Sequence, residues 1–217
     1  MTLKKAVALF VFLAAGLSAY AYDDGDWQFW NSDSVEYKIT DQLKARVEIA
    51  DRYGDDMSEL FYAYIQPGIG YKVSSWLDVL VAYELLEEKK NGDWNVENRP
   101  IIEITPNWKL MSVTFTDRNR FEYRDREVGT DLWRYRNRLR AVLPFQWTAL
   151  KIQPYADEEI FVDLNSHDLN QNRASAGIIM QVTKNLKTET FYMVRSDWKS
   201  GDWTQTNVIG LNLRLAF

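Results

Sequence analysis

The chain has 217 residues, enough for one sizeable domain and marginal for two, with 26 Lys and Arg against 31 Asp and Glu and a net charge of −5. Gross charge therefore gives no reason to expect nucleic acid as a partner. A negative mean hydropathy beside 9 Trp, 12 Tyr and 10 Phe excludes both a bundle of membrane helices and a disordered chain.

The opening residues read as an export signal. "MTLKK" is basic, "AVALFVFLAAGL" is apolar, and "SAYA" ends in small residues at Ala19 and Ala21. This predicts a signal peptide over 1–21 and a mature chain, residues 22–217, starting at Tyr22. The apolar run is short for a membrane anchor, which needs about 20 residues. With no cysteine, the exported domain must draw its stability from its architecture and not from disulfides.

Beyond residue 21 the pattern is strand after strand. Alternating segments run near 27–40, 43–53, 59–73, 77–87, 98–106, 109–124, 131–143, 148–163, 172–183, 186–198 and 204–217. No segment of ten or more residues has helical apolar spacing, and no linker or tandem repeat is found. Short connections with turn chemistry ("TDQ", "VSSW", "TPNW", "PFQW", "TKN") alternate with longer polar ones ("YGDDMSE", "EEKKNGDWNVEN", "DREVGTD", "LNSHDLNQ", "WKSGDW").

Each segment has one apolar and one charged face. In 43–52, Leu43, Ala45, Val47 and Ile49 oppose Lys44, Arg46, Glu48 and Arg52. In 77–85, Leu77, Val79, Val81, Tyr83 and Leu85 oppose Asp78, Leu80, Ala82 and Glu84. Across 109–124, Phe115, Phe121 and Tyr123 oppose Arg118, Arg120, Glu122 and Arg124. "LWRYRNRLRAVL" sets Arg134, Arg136, Arg138 and Arg140 against Trp133, Tyr135, Leu139 and Ala141, with Asn137 as the exception. The last segment opposes Ile209, Leu211, Leu213, Leu215 and Phe217 to Gly210, Asn212, Arg214 and Ala216.

Alternation alone also suits a water-soluble sheet. Three features favour a membrane barrel: the chain ends on an aromatic in the apolar register, the loop lengths alternate, and the polar faces hold long side chains of both signs. A sheet in lipid must close, because each unpaired backbone group in hydrocarbon costs several kcal/mol. The reading is an all-β, closed antiparallel transmembrane barrel with short periplasmic turns and longer extracellular loops. Trp76, Trp108, Trp133, Trp147, Trp198 and Trp203 fit interfacial girdles. Even strand numbers are usual, so the eleven segments predict twelve strands if 27–40 breaks at "NSDS", or ten if 98–106 is not a strand.

The pieces "DWQFW", "ENRP", "NRFEYR", "RYRNRLR", "EEIF", "NQNRASAGI" and "GLNL", in that order and spacing over the mature chain, resemble the exported barrel proteins grouped under domain of unknown function 2490. The resemblance implies an outer-membrane β-barrel of a Gram-negative-type bacterium and implies no activity.

A closed barrel would turn the charged face inward. The positive lumen residues are then Lys44, Arg46, Arg52, Arg99, Arg118, Arg120, Arg124, Arg134, Arg136, Arg138, Arg140, Arg173, Arg195 and Arg214. The negative ones are Glu48, Asp78, Glu84, Glu103, Glu122, Asp157, Glu159, Asp163 and Glu189. Folding 109–124 onto 131–143 about residue 128 sets Glu122 opposite Arg134, Arg120 opposite Arg136 and Arg118 opposite Arg138. Asp157 and Glu159 are the nearest carboxylates able to neutralise the ladder. Two functions follow. A surplus of inward cations suits a narrow channel for small anionic solutes. An interlocked set of ion pairs suits a non-conducting structural or interaction barrel. The surplus favours the channel.

Asn119 and Asn137 fall on the apolar face opposite each other, near Asp117; a β-bulge that re-aims them is expected, with a protein–protein contact as the alternative. The acidic loops read as solvated, without a calcium-loop spacing. His167, the only histidine, lies between Ser166 and Asp168, which leaves a lipid-modifying barrel enzyme as the weakest alternative, and no enzyme is expected. No metal or other cofactor is expected either. The expected partners are outer-membrane lipid, small anionic solutes, and the barrel-assembly machinery reached through the C-terminal strand, with Phe217 as membrane-assembly signal.

Overall fold

The computed structural model describes residues 24–199 and 201–217; the segment expected to be a signal peptide lies outside the described residues. Among the described residues there are eleven strands and no helix. They are β1 (Trp27–Lys38), β2 (Leu43–Gly54), β3 (Glu59–Lys72), β4 (Leu77–Lys90), β5 (Asp93–Leu110), β6 (Val113–Arg126), β7 (Leu132–Val142), β8 (Gln153–Asp163), β9 (Asp168–Gln181), β10 (Leu186–Lys199) and β11 (Asp202–Ala216).

Sequential strands pair antiparallel, and β1 closes on β11 to complete a barrel. That seam is parallel: Trp27 faces Asn207 at one end of it and Glu36 faces Ala216 at the other. An odd number of strands leaves the first and last running the same way. The closed all-β barrel is as expected, and its eleven strands lie next to the expected count of about twelve. "NSDS" does not break β1; Asn31 to Ser34 pair residue by residue with β2 on one side and β11 on the other. Parallel pairing satisfies the same backbone groups as antiparallel pairing, so removing the sheet's edges does not require an even count.

Several strands run past their expected ends. "EEKKNGDWNVEN" is a paired extension of β4 and β5 that reverses at Asn91–Gly92, both with positive φ (53° and 92°), as a two-residue hairpin turn requires. "TPNW" is not a turn but part of β5, and the reversal falls at Met111–Ser112 (φ 48° and 70°). The longest connection, 143–152, lies at the end of the barrel where Phe217 sits, among the connections 39–42, 73–76, 111–112 and 182–185. Strand extension, more than loop length, therefore distinguishes the far end from the Phe217 end.

The apolar face points outward. Val47, Ile49, Ile65, Val81, Leu85, Ile102 and Ile209 are all exposed although they lie within strands. Eight of the nine tryptophans are exposed and stand near the two rims: Trp76, Trp108 and Trp147 at the Phe217 end, and Trp27, Trp94, Trp133, Trp198 and Trp203 at the far end. Trp30 alone is buried, inside the barrel, where it packs with Met193, Val208 and Phe191. Phe191 is flanked by glycines on both neighbouring strands, Gly177 and Gly210. A Cβ on Gly210 would sit 1.9 Å from the Phe191 ring, so that position must stay bare for the ring to lie flat against β11.

Two bulges shape the lumen. At Arg52/Tyr53 the β2–β3 register shifts, leaving Phe61 without a cross-strand partner and letting the consecutive aromatics Phe61 and Tyr62 both be buried. A second shift lies at Phe161/Val162. The bulge expected near Asn119 and Asn137 is absent: β6 and β7 pair without interruption from Thr114–Val142 to Arg124–Leu132. The two asparagines stay on the outer face because they satisfy one another. Asn137 Nδ2 donates to Asn119 Oδ1 (3.2 Å) and to Asp117 Oδ1, and the Tyr135 hydroxyl donates to Asn119 Oδ1 (2.6 Å).

The seam gives a direct test. In a chain without natural cysteines, Ser32→Cys with Asn212→Cys, directly opposed on inward faces, is expected to oxidise to an intramolecular disulfide with altered gel mobility. Ser32→Cys with Leu213→Cys, on opposite faces, is expected to stay reduced. The reverse result would mean that β1 and β11 are not partners in this register.

Candidate functional site

Closing the sheet gathers the charged faces of all eleven strands into one interior, which falls into two halves. The far half is filled. Glu97 accepts from Arg99 Nε at 2.6 Å and from Arg124 Nη2 at 2.8 Å, while Arg99 also donates to Glu84 (2.7 Å) and to the Tyr62 hydroxyl (3.1 Å). One layer nearer the centre, Glu122 pairs with Arg134 and, at 3.5 Å, with Arg136. Glu122 and Phe161 are wholly buried, and Phe61, Leu86 and Ile101 close the remaining space to within 2% exposure.

The half toward Phe217 is hollow. A cavity of about 760 Å³ is bordered there by strand residues from all around the barrel and by Gln146 and Lys151 of the 143–152 connection. Twelve Lys and Arg line it against eight Asp and Glu. Near its mouth Glu36 holds Arg214 (2.7 Å) and Lys44 (3.3 Å). On its wall Arg140 is matched by both Asp157 (2.7 Å) and Glu189 (3.0 Å), with its guanidinium 4.1 Å from the Tyr155 ring centre. Arg46 pairs with Glu48, which also accepts from the Tyr64 hydroxyl.

Arg46, Glu48, Arg118, Arg120, Arg136, Arg138, Arg140, Asp157, Glu159, Arg173 and Arg214 border this cavity. Glu122, Arg124 and Arg134 belong to the filled half. Arg195 is bound to Asp197 at 2.7 Å near the far rim. The cross-strand pairs Glu122–Arg134, Arg120–Arg136 and Arg118–Arg138 occur in the expected register, and β8 sets Asp157 opposite Arg140 and Glu159 opposite Arg138. Among the described residues Asp163 joins no ion pair: its carboxylate accepts from the backbone N–H groups of Asn165 (2.8 Å) and Ser166 (3.3 Å) and so shapes the β8–β9 turn. Phe217 is 60% exposed and pinned to β1: its N–H donates to the Glu36 carbonyl and its carbonyl accepts from Lys38 N–H, both at 3.0 Å.

Sequence reasoning missed Glu36, Glu97 and Asp197 as lumen carboxylates. Glu97 was hidden by reading its segment as a loop, yet Glu97, Arg99, Ile101 and Glu103 continue a single alternating face. It also missed the aromatic seats of the arginines. Arg52 lies between Trp30 and Tyr62, 3.8 Å from each ring centre, and Phe161 carries Arg136 (4.5 Å) and Arg173 (4.4 Å). His167 sits in the β8–β9 turn with φ 64°. Among the described residues no group of three or more His, Cys, Asp or Glu could hold a metal ion.

Glu122 is the member whose loss should be felt most, since among the described residues it is the one carboxylate paired with Arg134. Glu122→Ala is expected to lower unfolding stability by about 3–5 kcal/mol, the usual penalty for leaving a buried charge unpaired. Asp41→Ala, in an exposed turn, should change it by less than about 0.5 kcal/mol. Urea unfolding of the purified barrel measures both.

A family model described as "protein of unknown function (DUF2490)" matches residues 27–206, from the first residue of β1 into β11. An uncharacterized protein of Methylorubrum extorquens is 29% identical over 161 residues, covering 72% of this chain and 69% of that one. Among solved structures, LpxR from Salmonella typhimurium aligns with a TM-score of 0.47 at 9% identity, over 79% of this chain and 83% of that chain. A match running from the opening strand into the closing one covers all of the barrel but the last part of β11, and the chain belongs to the DUF2490 family of proteins of unknown function.

Proposed function

We propose that this protein spans the outer membrane of a Gram-negative-type bacterium as a barrel that does not conduct, with its hollow half open toward the periplasm. The export signal read in residues 1–21 supports delivery across the inner membrane. The outward belt of exposed aliphatic side chains between two rims of tryptophan supports insertion in lipid, since a belt of that kind facing water would be an aggregation surface. Phe217, at the end of the closing strand, is the proposed assembly signal, and the end that carries it is the periplasmic one.

One observation carries the closed reading over a through-channel: the wholly buried Glu122 and Phe161 lie across the far half of the lumen with their arginine partners packed around them. In this reading an anion entering the basin meets no continuing path. The protein acts in this reading as a structural or binding barrel presenting a basic basin to the periplasm, without catalysis.

Two measurements test it. Val81→Arg, on the outer face of β4, is expected to destabilise the folded barrel by about 2–4 kcal/mol if Val81 faces hydrocarbon. A change near zero would show that the face meets water. In planar bilayers the wild-type protein is expected to give no unit currents at any applied voltage. Stable currents with anion preference would overturn the closed reading in favour of the channel.

A further inference from the structure

The positive charge of the basin is not spread evenly, and its surplus collects at the floor. Three guanidiniums converge on Glu159, which is 4% exposed: Arg118 at 2.5 Å, Arg136 at 3.0 Å and Arg173 at 3.6 Å; Arg118 and Arg136 have only longer second contacts, to Glu103 (3.8 Å) and Glu122 (3.5 Å), carboxylates already held by Arg120 and Arg134. Arg138 faces Glu159 across the β7–β8 pair and Arg118 across the β6–β7 pair, yet among the described residues it forms no ion pair. Arg52 has no carboxylate either; it shares the Trp30 ring with Arg173. All five arginines border the cavity. The Nε groups of Arg118 and Arg173 are buried without a hydrogen-bond partner in the protein.

A carboxylate offers about four lone-pair sites, and each guanidinium brings five donors. Glu159 therefore cannot satisfy this set, and among the described residues neither Arg138 nor Arg52 forms an ion pair with any carboxylate. Contrast the wall, where Arg140 has two carboxylates to itself. Like charges held together in a half-enclosed space repel unless something neutralises them. Planar guanidiniums match the oxygens of phosphate and carboxylate groups.

We infer that the basin floor, formed by Arg52, Arg118, Arg136, Arg138 and Arg173 around Glu159, is a binding site for a small, multiply charged oxoanion, a phosphate ester or polycarboxylate. The cavity's volume suits a ligand of that size. The cations Lys44, Lys187 and Arg214 at its mouth steer anions inward. The inference rests on the closed-barrel reading only for the side from which the ligand arrives.

Calorimetric titration of the full mature protein in detergent micelles tests it, with inorganic pyrophosphate, citrate and glucose as probes at low ionic strength. Saturable one-to-one binding of pyrophosphate or citrate is expected, with none for glucose, and the affinity should fall as salt is added. Arg138→Gln breaks no ion pair in the protein and is expected to fold with an unchanged thermal midpoint and to bind about tenfold more weakly, the scale of one lost charge-assisted bond. Lys90→Gln, at the far rim, should bind as wild type. Absence of saturable binding by both anions, or wild-type affinity in Arg138→Gln, overturns the site. Unit currents with the titration intact would overturn the closed-lumen reading alone, and silence without titration would overturn this site alone.

Discussion

A sheet that turns most of its aliphatic side chains outward and its charges inward has only small apolar clusters inside and no continuous hydrophobic core to hold it together. What holds it is the ring of backbone hydrogen bonds, complete only because β1 meets β11. Every other feature follows from that closure. It fixes which face is interior, removes the exposed edges on which other chains could pair, and brings strands far apart in sequence into one lumen. The parallel seam is the price of an odd strand number, and it places the start of β1 at the opposite end of the barrel from Phe217.

Within that ring the interior is held by charge. Buried ion pairs are weak sources of net stability, because removing two charges from water costs nearly what their attraction returns. They are strong sources of geometry. A guanidinium has to point its donors at particular oxygens, and the far half of the lumen uses this to fix Arg99, Arg124 and Arg134 on Glu97, Glu84 and Glu122. Aromatic rings do the remainder, receiving guanidinium faces where no carboxylate is available, as Trp30 and Tyr62 do for Arg52. The same chemistry therefore gives two outcomes along one axis. Where carboxylates and rings match the arginines the lumen is solid, and where they fall short it is hollow and positive.

The outer face shows the complementary rule. Asp117, Asn119 and Asn137 lie on the outer face, joined to one another and to Tyr135 by hydrogen bonds along the surface, as are Asn31 with Asp33 and Asp51, and Asn172 with Glu158. A lone polar group there would be costly in a hydrocarbon environment, while a mutually bonded set loses much less. Such a cluster leaves the β6–β7 ladder undisturbed, which is why no bulge was needed to accommodate it.

How much of this could be read from the residues alone follows the range of the forces involved. Alternation is local, so the strands, their charged and apolar faces and even the Arg118–Arg138 register were legible in single segments and one hairpin. Turn positions were less so. "TPNW" and "EEKKNGDWNVEN" look like loops by composition, yet cross-strand pairing overrides that preference, carrying β5 through the first and leaving only Asn91–Gly92 of the second as a turn. The strand count, the parallel seam, the division of the lumen into a filled and a hollow half, and the convergence of three arginines on Glu159 were decided only by the tertiary structure. Each depends on strands distant in sequence, β1 with β11 and β2 with β9, being brought together around one axis. No local pattern records how many strands complete that circle, nor which carboxylate each inward arginine will find once it is closed.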